Sequence, residues 1–146
     1  SCPQMNRYYL DTNILVFLLE KRNDEISKEV GKVIMDYGNL LYTSTVCVHE
    51  LIHLFQIGKL HIKRKEKNAD ISEFSQWLRE MNIEIVPVTV RHLQKYLTLP
   101  LFDEHRDPND RLIIAQAISD KITLVSSDRK FNMYVNYGLD FLFNRR

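Results

Sequence analysis

Short β-prone runs alternate with helical periodicities along this whole chain, and two of those runs lead into an aspartate. Arg7 to Leu10 runs into Asp11, and Thr123 to Ser126 runs through Ser127 into Asp128. Strands separated by helices cannot close as hairpins, so the alternation predicts an α/β fold with a central, mainly parallel sheet. In such sheets ligands bind beyond the carboxyl ends of the strands, where Asp11 and Asp128 fall.

The expected elements follow from periodicity and end signals. A strand over 7–10 precedes a helix over 12–19, and a second helix over 25–37 places Ile26, Val30, Val33, Ile34 and Tyr37 at three- and four-residue spacing. Gly38-Asn39 ends it, a strand covers 40–43, and Ser44 or Thr45 caps a helix that stops at Gly58. A helix over 70–81 puts Ile71, Phe74, Trp77, Leu78 and Met81 on one face. Strands are expected over 84–88, 123–126 and 139–143, helices over 90–97 and 110–120, and a helical turn from Arg129.

Length and composition narrow the class. At 146 residues, with 45% apolar and 27% charged residues, this is the profile of one soluble domain with a real core. The net charge of +1 carries no argument about partners. Cys2 and Cys47 are isolated, which fits a reduced, cytoplasmic protein. The apolar run from Ile14 to Leu19 is far too short for a bilayer span, so no membrane role is expected. Met5 stands just before the first strand, and residues 1–4 are read as an expression remnant.

Four acids are candidates for one site: Asp11, Glu50, Asp110 and Asp128. Crowded carboxylates repel and are costly to desolvate, so such a cluster implies a divalent cation. Oxygen ligands without thiolate favour Mg2+ or Mn2+ over zinc. Each acid has a plainer reading as well. Asp-Thr-Asn is a strong helix start at Asp11, Glu50 can lie on a narrow polar stripe, and Asp128 can be a turn residue. Asp107 reads as an N-cap with Pro108 at the first helical position, leaving Asp110 one turn inward for metal. Thr12 and Asn13 are placed to orient Asp11 or a water, and Ser126 to orient Asp128.

These residues stand in motifs that resemble the PIN domain family, and within it the VapC-type toxins of toxin–antitoxin pairs. Tyr8-Tyr9-Leu10-Asp11-Thr12-Asn13 resembles the first motif. Glu50 with Ile57-Gly58-Lys59-Leu60 resembles the W-E-I…G-K-L helix of one subgroup. HRDPNDRLIIAQA, from His105 to Ala117, resembles that subgroup's H-R-D-P-F-D-R block, and Leu124 to Phe131 resembles its closing Asp motif. His49, Leu54, Asn109 and Ser126 depart from the subgroup pattern without removing an acid. The resemblance implies a single PIN-like three-layer α/β/α domain over 1–146 and a metal-dependent endoribonuclease. It also implies an RNA substrate, a small antitoxin partner whose Arg or Lys pairs with the acids, and a homodimer. Ile14, Phe17 and Leu18 are candidate dimer contacts, with core packing the equal alternative.

Two competing readings remain open at this level. His49-Glu50-Leu51-Ile52-His53 matches the H-E-x-x-H helix of zinc proteases, although Gln56 and Lys59 replace the Gly and His of its extended form. A catalytically silent RNA-binding PIN module is the other. For the nucleic-acid backbone, Arg106, Arg111, Arg129 and Lys130 flank the acids. The denser basic run of Lys59, His61, Lys63, Arg64, Lys65 and Lys67 reads more simply as a solvated loop.

Overall fold

The structure, a computed structural model, describes residues 6–62 and 70–146. Residues 1–4, Cys2 and most of the basic run after Lys59 lie outside those described. Five strands, β1 (Arg7–Leu10), β2 (Leu40–Ser44), β3 (Ile83–Val86), β4 (Thr123–Ser126) and β5 (Phe141–Phe143), form one sheet in the order β3-β2-β1-β4-β5. Every pairing is parallel. Tyr9 and Leu10 are successive in β1 and so point to opposite faces, yet they are 2% and 0% exposed. Both faces of the sheet are therefore covered, which makes the three layers expected for this fold.

The helices are α1 (Thr12–Leu19), α2 (Lys28–Met35), α3 (Thr45–Gln56), α4 (Ile71–Glu80), α5 (Val90–Thr98) and α6 (Pro108–Asp120). A 3-10 helix spans Arg129–Tyr137. Their starts follow capping chemistry. Ser44 accepts from the Val46 amide, Asp70 from Glu73, and Asp107 from Asn109 and Asp110 with Pro108 next. Helix α3 ends at Ile57, followed by Gly58 at φ +75°.

Two expectations need correction. The second helix starts at Lys28 rather than Glu25, because Asn144 occupies the groups that a longer helix would use. The Asn144 Oδ1 accepts from the Ser27 amide at 2.8 Å, its Nδ2 donates to the Glu25 carbonyl at 2.8 Å, and Ser27 then caps α2. That helix ends at Met35, with Asp36 in extended conformation, so Tyr37 and Met35 are exposed rather than packed. Ile71, expected on the apolar face of α4, is also exposed, while Phe74, Trp77 and Leu78 are buried. The aromatic residues Tyr9, Phe17, Trp77 and Phe131 are core, and Tyr8 is partly buried against it.

Helix α6 is tied to the sheet by a polar network at its C-terminal end. Tyr9 donates to the Asp120 carboxylate at 2.6 Å and accepts from Gln116. His92 accepts the Thr89 amide at Nδ1, so its Nε2 carries the proton that Asp120 receives. Arg91 completes the pairing. Burial pushes the Asp120 carboxyl up, but hydrogen bonds from Tyr9, His92 and Arg91 outweigh it and hold it below the ordinary carboxylate value. A depressed folded value means this group stabilises the fold above about pH 4 and that the contribution fades as pH falls through the folded value. Asp120→Asn is therefore expected to cost roughly 1–3 kcal/mol at pH 7. In thermal melts, the Tm gap to the unmodified protein should narrow toward pH 3; a gap independent of pH would refute this account.

Candidate metal and nuclease site

In this sheet the chain moves one way from β1 through β2 to β3, then returns to β4 and β5 on the other side. The crevice at such a switch opens beyond the carboxyl ends of β1 and β4. Asp11 stands there, directly after β1. Its amide donates to the Val125 carbonyl at 3.0 Å, extending the β1–β4 ladder by one bond. Its side chain caps α1 by accepting from the Thr12 amide at 2.8 Å, so the helix-start reading and the site reading are both true of one residue.

The other Asp11 oxygen is held across the strand ends. Ser126 donates its hydroxyl to Asp11 Oδ2 at 2.7 Å, and Asn13 Nδ2 reaches the same oxygen at 3.2 Å. Ser126 Oγ in turn accepts from the Asp128 amide at 3.0 Å, and Asn13 Oδ1 accepts from the Ser127 amide. Thus Asn13 and Ser126 set the positions of two acids at once. Asp128 also caps the 3-10 helix through the Lys130 amide.

Glu50 enters from α3 and Asp110 from the first turn of α6. With Asp11, Asp128, Thr12, Asn13, Val16, Phe17, Leu54 and Arg146 they line one cleft of about 380 Å³. All four sequence-derived acids share this cleft. Asp107 stays exposed at its cap, one turn from Asp110.

The electrostatics are those of a site missing a positive partner. Burial, with Asp128 as a lesser contributor, pushes Asp11 up to about 6 despite its hydrogen bonds. Burial and then Asp11 push Glu50 up to about 7. Asp110 is pushed up to about 8 by burial, then by Asp11, Asp107, Glu50 and Asp128. Glu50 Oε1 is buried with no hydrogen-bond partner. A buried, unpartnered carboxylate oxygen among three other acids fits a hard divalent cation.

Two contributors escaped the sequence reading. In the sequence His105 is only the first letter of a motif, yet it is 4% exposed with Nε2 3.4 Å from Asp110 Oδ2. Its Nδ1 lies 2.7 Å from the Tyr134 hydroxyl, and burial pushes its imidazole below the usual value. One ligand atom each from His105, Asp110 and Asp128 lies within 4.8 Å of the others. Arg146 lines the cleft, with its Nε donating to Glu25 at 2.7 Å and its guanidinium over the Phe17 ring. His105 opens the H-R-D-P block without being one of its acids, and no local motif marks Arg146.

The expected cations are placed unequally. Arg111 is buried, donating to the Leu99 and Pro100 carbonyls and stacking 4.6 Å from the Tyr96 ring centroid. That placement removes it as a backbone grip; an Arg inside the first turn of a mostly buried helix was never free to reach solvent. Arg106, paired with Asp103, is exposed, as are Arg129 and Lys130. His49 and His53 are exposed on α3, and among the described residues no three-ligand group includes either one. The zinc-helix match thus lacks a third ligand there. Cys47 is a buried free thiol, 4.0 Å from Asp11 Oδ1.

Known proteins agree with this architecture. The fold is similar to VapBC2 from Rickettsia felis, crystallised bound to a DNA fragment from its promoter, at 23% identity and TM-score 0.64, covering 95% of this chain and 99% of that one. It is similar to DNA-bound VapBC from Salmonella typhimurium at 14% identity and TM-score 0.63, covering 95% and 98%. It is similar to VapBC-1 from nontypeable Haemophilus influenzae at 18% identity and TM-score 0.59, covering 94% and 97%. Among curated proteins, none matches the chain by sequence. Residues 8–135 match the PIN domain family, a span that takes in all four acids and the strands β1 to β4 that frame them. The chain belongs to the PIN domain family.

Proposed function

We propose that this chain is a metal-dependent endoribonuclease and the toxin of a toxin–antitoxin pair, acting on RNA in the cytoplasm. The observation that carries the reading is the shared cleft of Asp11, Glu50, Asp110 and Asp128, drawn from four separate elements and short of positive charge. These four would hold Mg2+ or Mn2+. Such an ion, when bound, lowers the pKa of a water and stabilises charge on a phosphodiester.

The remaining roles belong to the chain itself. Asn13 and Ser126 fix Asp11 and Asp128 in place, and Thr12 lends its amide to Asp11. Asp107 holds the first turn of α6 so that Asp110 faces the cleft. Arg146, braced by Glu25 and Phe17, has its terminal nitrogens free of that Nε hydrogen bond and offers them to a phosphate at the rim. Exposed Arg106, Arg129 and Lys130, on the segments around Asp110 and Asp128, are outer contacts for the RNA backbone.

The nuclease reading is tested on single-stranded and looped RNA with Mg2+, Mn2+ or EDTA. Asp11→Asn and Asp110→Asn are expected to lower kcat by at least about 100-fold, since even groups behind metal ligands are worth 10–100-fold. Arg146→Ala is expected to raise KM more than it lowers kcat and to flatten the salt dependence by about one charge. Cleavage that persists in EDTA, or in Asp110→Asn, sinks the reading. RNA binding without metal-dependent turnover would select the silent module instead.

For partners, the similarity to VapBC structures supports a small antitoxin whose Arg or Lys pairs with the four acids. A homodimer is the second association. Ile14 and Phe17 are buried in this protein's own core, which removes them as contacts, and Leu18 is partly buried against that core. Val90, Leu93 and Leu97 of α5 follow three- and four-residue spacing and are exposed, Leu97 at 77%. This apolar row is the proposed contact between copies. Co-expression with the small neighbouring reading frame should restore growth that the chain alone suppresses, and light scattering should show a dimer that Leu97→Glu converts to monomer. A harmless chain with no small adjoining gene removes the toxin role, and a monomeric unmodified protein removes the dimer.

A further inference from the structure

His105 is a buried group for which the four-acid scheme has no use. Its ring packs edge-on against Phe131, with centroids 5.7 Å apart, and Tyr134, at 5.3 Å, so its orientation is fixed. The Tyr134 hydroxyl engages Nδ1, while Nε2 is buried and has no hydrogen-bond partner. A core histidine satisfied at both nitrogens would not leave Nε2 in this condition. Nor does Nε2 bond to Asp110: at 3.4 Å the pair is in contact, without hydrogen-bond geometry.

The separation does suit two ligands of one ion. Atoms each about 2.0–2.3 Å from a shared cation lie about 3 Å apart when adjacent and about 4–4.6 Å when opposite. The ligand atoms of His105, Asp110 and Asp128 fall within 4.8 Å of one another. A ligating imidazole also donates its other N–H to a fixed acceptor, and the Tyr134 oxygen stands 2.7 Å from Nδ1.

We propose that His105 Nε2 is a nitrogen ligand to the cation held by Asp110 and Asp128, with Nδ1–H donated to Tyr134. This rests on the metal-site reading above and adds a donor outside its carboxylate set. A nitrogen in the set favours Mn2+ and later transition ions over Mg2+, which prefers oxygen throughout. Tyr134 then acts as a positioning residue, since it holds the ligand and does not touch the ion.

The test is pulsed electron paramagnetic resonance of the purified chain loaded with Mn2+. Imidazole nitrogen modulation should appear, change character when histidine is labelled with 15N, and vanish in His105→Gln. It should survive in the triple variant His49→Ala, His53→Ala, His61→Ala, which removes the exposed histidines without disturbing the core. By calorimetry, His105→Gln should weaken Mn2+ binding by about 10-fold or more and Mg2+ binding by less, and Tyr134→Phe should keep the modulation while weakening Mn2+ by about 10-fold. Bound Mn2+ without histidine nitrogen modulation in the unmodified chain overturns the proposal and leaves the nuclease reading standing. Loss of the modulation in the triple variant overturns it too, and does so even if His105→Gln fails to fold. Modulation that follows His105 in a protein that cuts no RNA supports the ligand and removes the nuclease. No bound Mn2+ at all overturns both.

Discussion

The Asp11 carboxylate is 4% exposed, and the hydrogen bonds that hold it also join the ends of the central strand β1 and its neighbour β4. Removing a carboxylate from water costs several kcal/mol, while each charge-assisted hydrogen bond returns roughly 1.5–3 kcal/mol. Thr12, Asn13 and Ser126 together offset much of that cost, yet burial still lifts Asp11 to about 6. What remains is a demand for positive charge at one point of the fold. That Asp11 is lifted no further depends on the pairing of Leu10 with Val125, which puts Ser126 beside it. A one-residue slip of β4 would turn Ser126 to the other face and leave Asp11 without its strongest donor.

Helix α6 carries an aspartate at each end, and the two live under opposite rules. Asp110, in the first turn, is favoured by the helix dipole by roughly 0.3–1 kcal/mol. Desolvation and four neighbouring acids are larger effects, so its carboxyl is pushed up to about 8. Asp120, at the C-terminal end, stands where the dipole disfavours an anion. Tyr9, His92 and Arg91 nevertheless hold it below the usual range. The paired acid anchors the helix to the sheet; the other stands among like charges at the cleft. Cost accepted at one end is offset at the other.

Much of this was legible in the sequence because local chemistry decides it. Strand β1, helix α1 and strand β4 fall where alternation, capping and apolar runs put them, and the four acids follow from where those elements end. What was not legible depends on partners that only the tertiary packing brings together, in one case more than a hundred residues away. The start of α2 is set by Asn144, and no window around Ser27 contains it. Arg111 looked like a free cation beside an acid, and only the packing of α5 against α6 shows that its guanidinium is spent on the Leu99 and Pro100 carbonyls and Tyr96. His105 was hidden for the converse reason. A lone histidine before an Arg-Asp-Pro turn is unremarkable until Tyr134 and Asp110 are found on its two nitrogens.

Asn144 links these observations to the rim of the cleft. It is fully buried, its Nδ2 reaching Ser127 Oγ at 2.8 Å as well as the Glu25 carbonyl, and its amide bonds to the Ser126 carbonyl. It therefore clamps the end of β5 to the end of β4, one residue from Asp128, and to the segment that carries Glu25. Two positions later Arg146 reaches Glu25 and the Phe17 ring, and Phe17 belongs to the helix that Asp11 caps. The acids stand on strand ends and helix turns, whereas the cation reaches them through a chain of side-chain contacts. A site built this way fixes its charge-holding groups rigidly and leaves the cation at its rim on a longer lever. The two parts can then vary separately: the acids are constrained by one another, while among the described residues Arg146 is held by Glu25 and a ring face.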